Sequence, residues 1–252
     1  MKRFSWRTNL ILFLIAASLL FYLINYLIFR DPPFMLRLLT LQLGFVPISV
    51  ILITLFLNQL LVRREKRSRL EKLNMVIGTF FGEVGTALLK SFSDFNPCRD
   101  ELSKELIITN DWSDQDFASA REYFKNYDYS IEIQVDYLEK LRSFLLEKRI
   151  FLLRLLENPN LLEHESFTDL LWAITHLTEE LAYREDIRKL PDTDYEHLAN
   201  DTKRAYGLLV SQWVDYMQHM KGSYPYLFSL AIRTNPLDPN ASVEVRRVIP
   251  SP

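Results

Sequence analysis

Residues 10–29 read LILFLIAASLLFYLINYLIF, a run whose most polar member is Asn25. At 1.5 Å per residue such a run makes a helix about 30 Å long, the thickness of a bilayer's hydrocarbon core. A secretory leader also begins with a basic stretch, here Lys2, Arg3 and Arg7, but its apolar core is shorter. The small residues Ala16, Ala17 and Ser18 lie inside this run rather than after it. The run therefore reads as a retained span. A second apolar run covers residues 38–62 and carries Gln42, Pro47, Asn58 and Gln59 but no charge. Pro47 is expected to kink it, with neighbouring groups satisfying the freed carbonyl. Between the runs stands only RDPPFMLR, residues 30–37, whose paired prolines stop the first helix and leave a tight turn. Two spans so joined form a transmembrane hairpin with no room for an external sensor domain.

Lysine and arginine orient the hairpin. Lys2, Arg3 and Arg7 flank the first span; Arg63, Arg64, Lys66, Arg67, Arg69 and Lys72 follow the second; the connecting loop holds only Arg30 and Arg37. The positive-inside rule then puts both termini in the cytoplasm, as a multi-pass protein of the cytoplasmic (inner) membrane. The cluster Arg63, Arg64, Lys66, Arg67 and Arg69 fixes topology and also suits anionic lipid headgroups, at about 1 kcal/mol per basic residue near the surface.

Beyond Arg63 the chain is charged and amphipathic, and its roughly 190 residues can bury a core of their own. A net charge of −2 offers no basic excess for nucleic acid. One cysteine, Cys98, excludes an intramolecular disulfide framework and multi-thiolate zinc sites, and suits a reducing compartment. Glycine is absent from 86 to 206, and prolines punctuate long stretches of 3.6-residue periodicity. The expected fold is all-α: a transmembrane hairpin (1–62), a basic connecting helix (63–93), a cytoplasmic helical bundle (94–234) and an extended tail (235–252). The helix 64–92 should continue the second span. Ser113 and Asp116 should start a helix reaching about Tyr127. Residues 131–157, apolar around most of their circumference, should form the central, most buried helix. The helix 163–183 turns Phe167, Leu170, Leu171, Ile174, Leu177 and Leu181 to the core. The helix 193–221 begins at a capping box of Thr193 and Glu196, and a short helix follows with Ser223 as cap and Pro225 in its first turn.

The sharpest candidate site lies opposite the leucines of 163–183. Glu165, Asp169, His176, Glu179 and Glu180 share that face, and a histidine among carboxylates can act as a general base or hold a divalent metal. An amphipathic helix places its charges there in any case, so a solvated face is the expectation. His197, Asp201, Arg204, Asp215 and His219 line the polar face of the next helix; His176 and His197 would share a site only if the two faces met. The four histidines show no H-E-x-x-H spacing, and no phosphate loop, dinucleotide fingerprint or nucleophile elbow occurs. No cofactor or metal is therefore expected from a motif. Cys98, beside Arg99, is at most weakly activated. Gly78, Gly82 and Gly85 sit close together on one helix, and such a stripe lets backbones approach; it suggests a homo-oligomer contact.

Residues 155–181, LLENPNLLEHESFTDLLWAITHLTEEL, and 224–239, YPYLFSLAIRTNPLDP, resemble segments of an uncharacterised family of prokaryotic integral membrane proteins with two N-terminal transmembrane helices and a cytoplasmic helical domain. The resemblance covers the C-terminal third and implies a prokaryotic setting without an activity. The expectation for function is a membrane-anchored interaction or scaffold module, whose partners are the lipid bilayer, further copies of itself and a protein bound by the cytoplasmic domain. Rivals are an oligomeric pore, with Gln42, Asn58 and Gln59 along its path and Asp31 at its mouth, and an enzyme using the His176 face.

Overall fold

The computed structural model describes residues 6–159, 161 and 164–244, without the side chains of residues 7–9, 29 and 66–70. Lys2 and Arg3, the side chains of Arg7, Lys66, Arg67 and Arg69, residue 163 and the last stretch of the expected tail (245–252) lie outside the described residues. The helices are α1 (Trp6–Phe29), α2 (Pro32–Phe80), α3 (Thr86–Asp94), α4 (Arg99–Glu105), α5 (Asp114–Asn126), α6 (Val135–Leu156), α7 (Glu165–Tyr183), α8 (Asp192–Ser223) and α9 (Pro225–Arg233). Among the described residues no strand forms; the protein is all-α. The chain divides into two compact units, Met1–Lys66 and Arg67–Pro252.

In the first unit, Arg30 takes a left-handed conformation (φ 49°) that ends α1. Asp31 then caps α2, its Oδ1 accepting from the Phe34 amide at 3.2 Å, while Pro32 occupies a first-turn position where no N–H is needed. The Tyr22 hydroxyl donates to Gln42 Oε1 at 2.7 Å, joining α1 to α2. Leu10–Ile28 and Pro32–Glu65 are each long and apolar enough to cross a membrane, and the most apolar window of each contains no buried residue. A third stretch, Glu71–Asp94, also meets that length and hydropathy. Its apolar side chains have another destination: Leu73, Ile77, Phe80, Phe81, Val84, Leu88, Leu89 and Phe92 are all buried in the core of the second unit.

That core is organised around a π turn, Phe81–Gly85, between α2 and α3. Its widened ladder is closed by the Thr86 hydroxyl, which donates to the Phe81 carbonyl at 2.8 Å. A Cβ at Gly85 would lie 2.5 Å from Phe81 Cδ1 and 2.8 Å from Phe80 Cε1, so the turn needs glycine there. Phe80 meets Phe167 of α7 edge-on at 5.2 Å, and Phe81 stacks on Tyr216 of α8 at 4.7 Å. Every core-face residue expected for α7 is buried, as are Leu198, Tyr206, Leu209, Val210, Trp213, Met217 and Met220 of α8.

Several local expectations are corrected. The chain from 131 to 134 is not helical: the Glu132 amide donates to the Phe95 carbonyl at 2.8 Å, which holds this segment out of a helix, and α6 begins only at Val135. Nor is α6 the most buried helix. Leu146, Ile150 and Leu153 are exposed, whereas α7 and α8 lie at the centre. The Ser113–Asp116 capping box forms as expected, but the one at Thr193 does not; α8 starts a residue earlier, with Pro191 at its N-cap. Ser223 is the last residue of α8, and Tyr224 caps α9. The helix α4 was not foreshadowed by the periodicity. The described part of the tail runs through turns rather than extending, because Asn235 Nδ2 donates to the Leu106 carbonyl at 2.9 Å and Leu237 is buried.

Candidate metal centre

The phase of α7 is set by its apolar face. With Ile174, Leu177 and Leu181 in the core, His176 and Glu180, one turn apart, fall on the flank beside α8. There α8 presents His197 and Asp201, also one turn apart. The two polar faces do meet. His176 Nε2 and His197 Nε2 each lie 3.3 Å from the same atom, Asp201 Oδ2. Glu180 closes the group, with Oε1 at 3.8 Å from His176 Nε2 and Oε2 at 3.7 Å from His197 Nε2. Side-chain exposure falls from 44% and 50% for the histidines through 28% for Glu180 to 4% for Asp201. The arrangement is a shallow cup with a buried carboxylate at its floor.

Two features of that carboxylate matter. Oδ2 is buried and accepts no hydrogen bond, although both ring nitrogens lie within ion-pairing distance and pair with it when protonated. Its other oxygen, Oδ1, has the Arg204 guanidinium 3.8 Å away. Glu180 is fixed from outside: Arg184 donates to its Oε2 at 2.6 Å and binds Asp194 through two further bonds. The hydrogen bond from Arg184 holds the Glu180 carboxyl below the usual carboxylate range, with His197 and His176 adding to the effect. The Asp194 carboxyl is lowered by the same guanidinium. Two imidazole nitrogens and two carboxylates presented as i, i+4 pairs on adjacent helices are a donor set of the kind helical bundles use for metal ions. The ligating atoms of His176, Glu180 and His197 lie within 4.8 Å of one another.

The other residues singled out in the sequence take different places. Asp169 and Glu165 are exposed about two and three turns before His176 on α7, outside this group, and Glu179 is half-buried. Arg63 and Arg64 are exposed, as is Cys98. The glycine stripe is split by the π turn. Gly85 is buried, while Gly78 and Gly82 line an open groove of about 650 Å³ with Met75 and Thr79 on one side and Leu227 and Leu230 of α9 on the other. Nothing lies within 4 Å of a Cβ built on Gly82. At the floor of this groove burial depresses the His219 pKa, and Asn74 Nδ2 approaches His219 Nδ1 at 3.2 Å. Sequence reasoning placed Asp201 on a polar face without seeing that it is the buried member; its position one turn after His197 was the available signal.

Comparison with known proteins gives matches along most of the chain. Residues 69–233 match the family described as "Uncharacterized protein MJ1433, C-terminal helical domain", and residues 2–61 match "MJ1433, N-terminal helical domain". The protein is similar to "Uncharacterized protein MJ1433" of Methanocaldococcus jannaschii, with 47% identity over 227 residues, 89% of this chain and 90% of the relative. No solved structure matches the chain.

Proposed function

The chain belongs to the MJ1433 family, and we propose that it is a membrane-anchored interaction module. On this reading α1 and the apolar part of α2 form a two-span hairpin in the cytoplasmic membrane, and the second unit is a scaffold on the cytoplasmic face. The observation that carries the reading is the exposure of the apolar runs: Phe13, Phe21, Leu41 and Phe56 are each more than 60% exposed, and no residue in the most apolar window of either run is buried. Each such side chain forgoes about 1.5–3 kcal/mol by staying in water, which favours a bilayer around runs of this length. The Tyr22–Gln42 hydrogen bond supports a paired hairpin. It also engages one of the polar side chains that a pore would need along its path, which disfavours the pore reading. Arg63 and Arg64, with Lys66, Arg67 and Arg69, support a cytoplasmic side for the second unit by the positive-inside rule.

The interaction role draws on two surfaces of the second unit. Leu146, Ile150 and Leu153 of α6 are exposed along one face of the helix, and exposed apolar patches mark contact sites. The groove lined by Gly78 and Gly82 is the proposed contact for another copy, because anchoring confines copies to one plane in parallel orientation. Topology tests the anchor: a reporter active only outside the membrane should be silent when fused at residue 2 or residue 252, and the protein should resist alkaline extraction from membranes. An active C-terminal fusion, or release by alkali, refutes the reading.

A further inference from the structure

We propose that His176, His197, Asp201 and Glu180 bind a single divalent transition-metal ion, of the zinc, cobalt or nickel class, between α7 and α8. The inference does not depend on the membrane reading. It starts from Asp201: a carboxylate 4% exposed, with Oδ2 accepting no hydrogen bond, is costly to bury unless a positive centre meets it. The nearest permanently charged group, Arg204, is 3.8 Å from the other oxygen, and the two imidazoles offer Oδ2 a positive charge only when protonated. Around Oδ2 stand two imidazole nitrogens at 3.3 Å, with no hydrogen bond formed to it. With their unprotonated Nε2 turned inward, the two rings and Glu180 would direct lone pairs into one shared space, and Asp201 Oδ2 borders it at 3.3 Å from both rings, where a metal cation would meet it. Two carboxylates also balance the charge of a divalent ion.

The donor set selects the class of metal. Magnesium and calcium prefer shells built of oxygen, whereas imidazole nitrogen suits zinc and its neighbours in the transition series. The supporting groups fit too. Arg184 and Asp194 hold the Glu180 carboxylate in place, and such outer partners orient ligands in metal proteins. The half-exposed histidines leave the cup open toward solvent, so an ion can enter.

The test uses the full chain in detergent, stripped with a chelator and titrated with Zn²⁺ against a competing chelator, then with Co²⁺ followed by its visible absorption. One Zn²⁺ per chain is expected, with a Co²⁺ spectrum showing nitrogen ligation. Asp201→Asn should weaken Zn²⁺ binding by more than about 100-fold, beyond what loss of an outer partner costs. Glu165→Gln with Asp169→Asn, on the same helix outside the cup, should leave it unchanged. If Asp201→Asn fails to fold, the double variant His176→Gln, His197→Gln decides, since both side chains are half-exposed and circular dichroism reports its fold. Absence of Zn²⁺ binding in the wild type, binding that survives in the double variant, or tighter binding of Mg²⁺ than of Zn²⁺ overturns the proposal.

Discussion

Replacing Ile174 by aspartate tests the packing on which the candidate centre depends. Ile174 has no exposed surface, and it sits two residues before His176, on the opposite side of α7. Taking an isoleucine side chain out of the core forfeits about 2–3 kcal/mol of burial. The new carboxyl would have no partner there and must stay neutral. Holding it protonated at pH 7, about three units above its ordinary pKa, costs about 4 kcal/mol at 1.36 kcal/mol per unit. The sum, about 6–7 kcal/mol, is comparable with the whole stability of an ordinary domain, about 5–15 kcal/mol. Ile174→Asp should therefore unfold the second unit or leave it barely folded at pH 7, while Ile174→Val costs only about 1 kcal/mol. The sign of the pH effect follows from the raised folded-state pKa. The penalty is greatest well above the ordinary carboxylate range and shrinks on acidification, by about 2.7 kcal/mol between pH 7 and pH 5. The assay is circular dichroism and thermal melting of the full chain in detergent at both pH values. An Ile174→Asp protein that melts like the wild type at pH 7 would show that α7 is rotated from the phase described, and the convergence on Asp201 would fall with it.

Arg184→Ala should destabilise by about 1–2 kcal/mol at neutral pH, because the guanidinium is mostly buried while its carboxylate partners are partly exposed. Asp194 has a depressed folded-state pKa, so its contribution is complete above its ordinary value of 3.8 and is lost as pH falls through the folded value; urea titrations at several pH values should show a shallower acid loss in the variant. Gly85→Ala should cost about 1–3 kcal/mol by overpacking against Phe80 and Phe81, whereas Gly82→Ala, with nothing within 4 Å, should be neutral or stabilising by up to about 1 kcal/mol. Equal melting temperatures for the two would refute the account of the π turn. For the proposed assembly, cysteine introduced at Gly78 in a Cys98→Ser background should crosslink between copies in membranes, and Gly82→Leu should reduce the yield; a monomer in mild detergent would count against it.

The fold was legible where one physical signal dominated. Uninterrupted apolar length marked residues 10–29 and 38–62, the 3.6 period marked α7, and local hydrogen bonding chemistry marked the start of α5 at Ser113. It was misread where tertiary contacts outvoted local pattern. The stretch 131–134 has helical periodicity, yet the Glu132 amide finds a better partner in the Phe95 carbonyl. The breadth of the apolar arc on α6 suggested a central helix, but Leu146, Ile150 and Leu153 remain exposed, so breadth measures available apolar surface rather than burial. The glycines show the same limit: Gly78, Gly82 and Gly85 share a face at 3.6 residues per turn, and a single π turn, invisible in the sequence, carries Gly85 into the core.

The candidate centre divides along the same line. Each half obeys a rule that reads from sequence, His176 with Glu180 and His197 with Asp201 at a spacing of four, which puts each pair on one helix face. What no spacing encodes is that the faces converge, because that depends on how α7 and α8 settle against Phe80, Phe81 and the rest of the core. Nor does it encode that Asp201 is the residue swallowed at the contact while Glu165 and Asp169, chemically equal candidates on α7, stay in solvent. Burial is the property that separates a ligand set from a charged surface here. It gives Asp201 an oxygen that accepts no hydrogen bond between two imidazoles, and that oxygen is what turns two ordinary amphipathic faces into a site with a testable occupant.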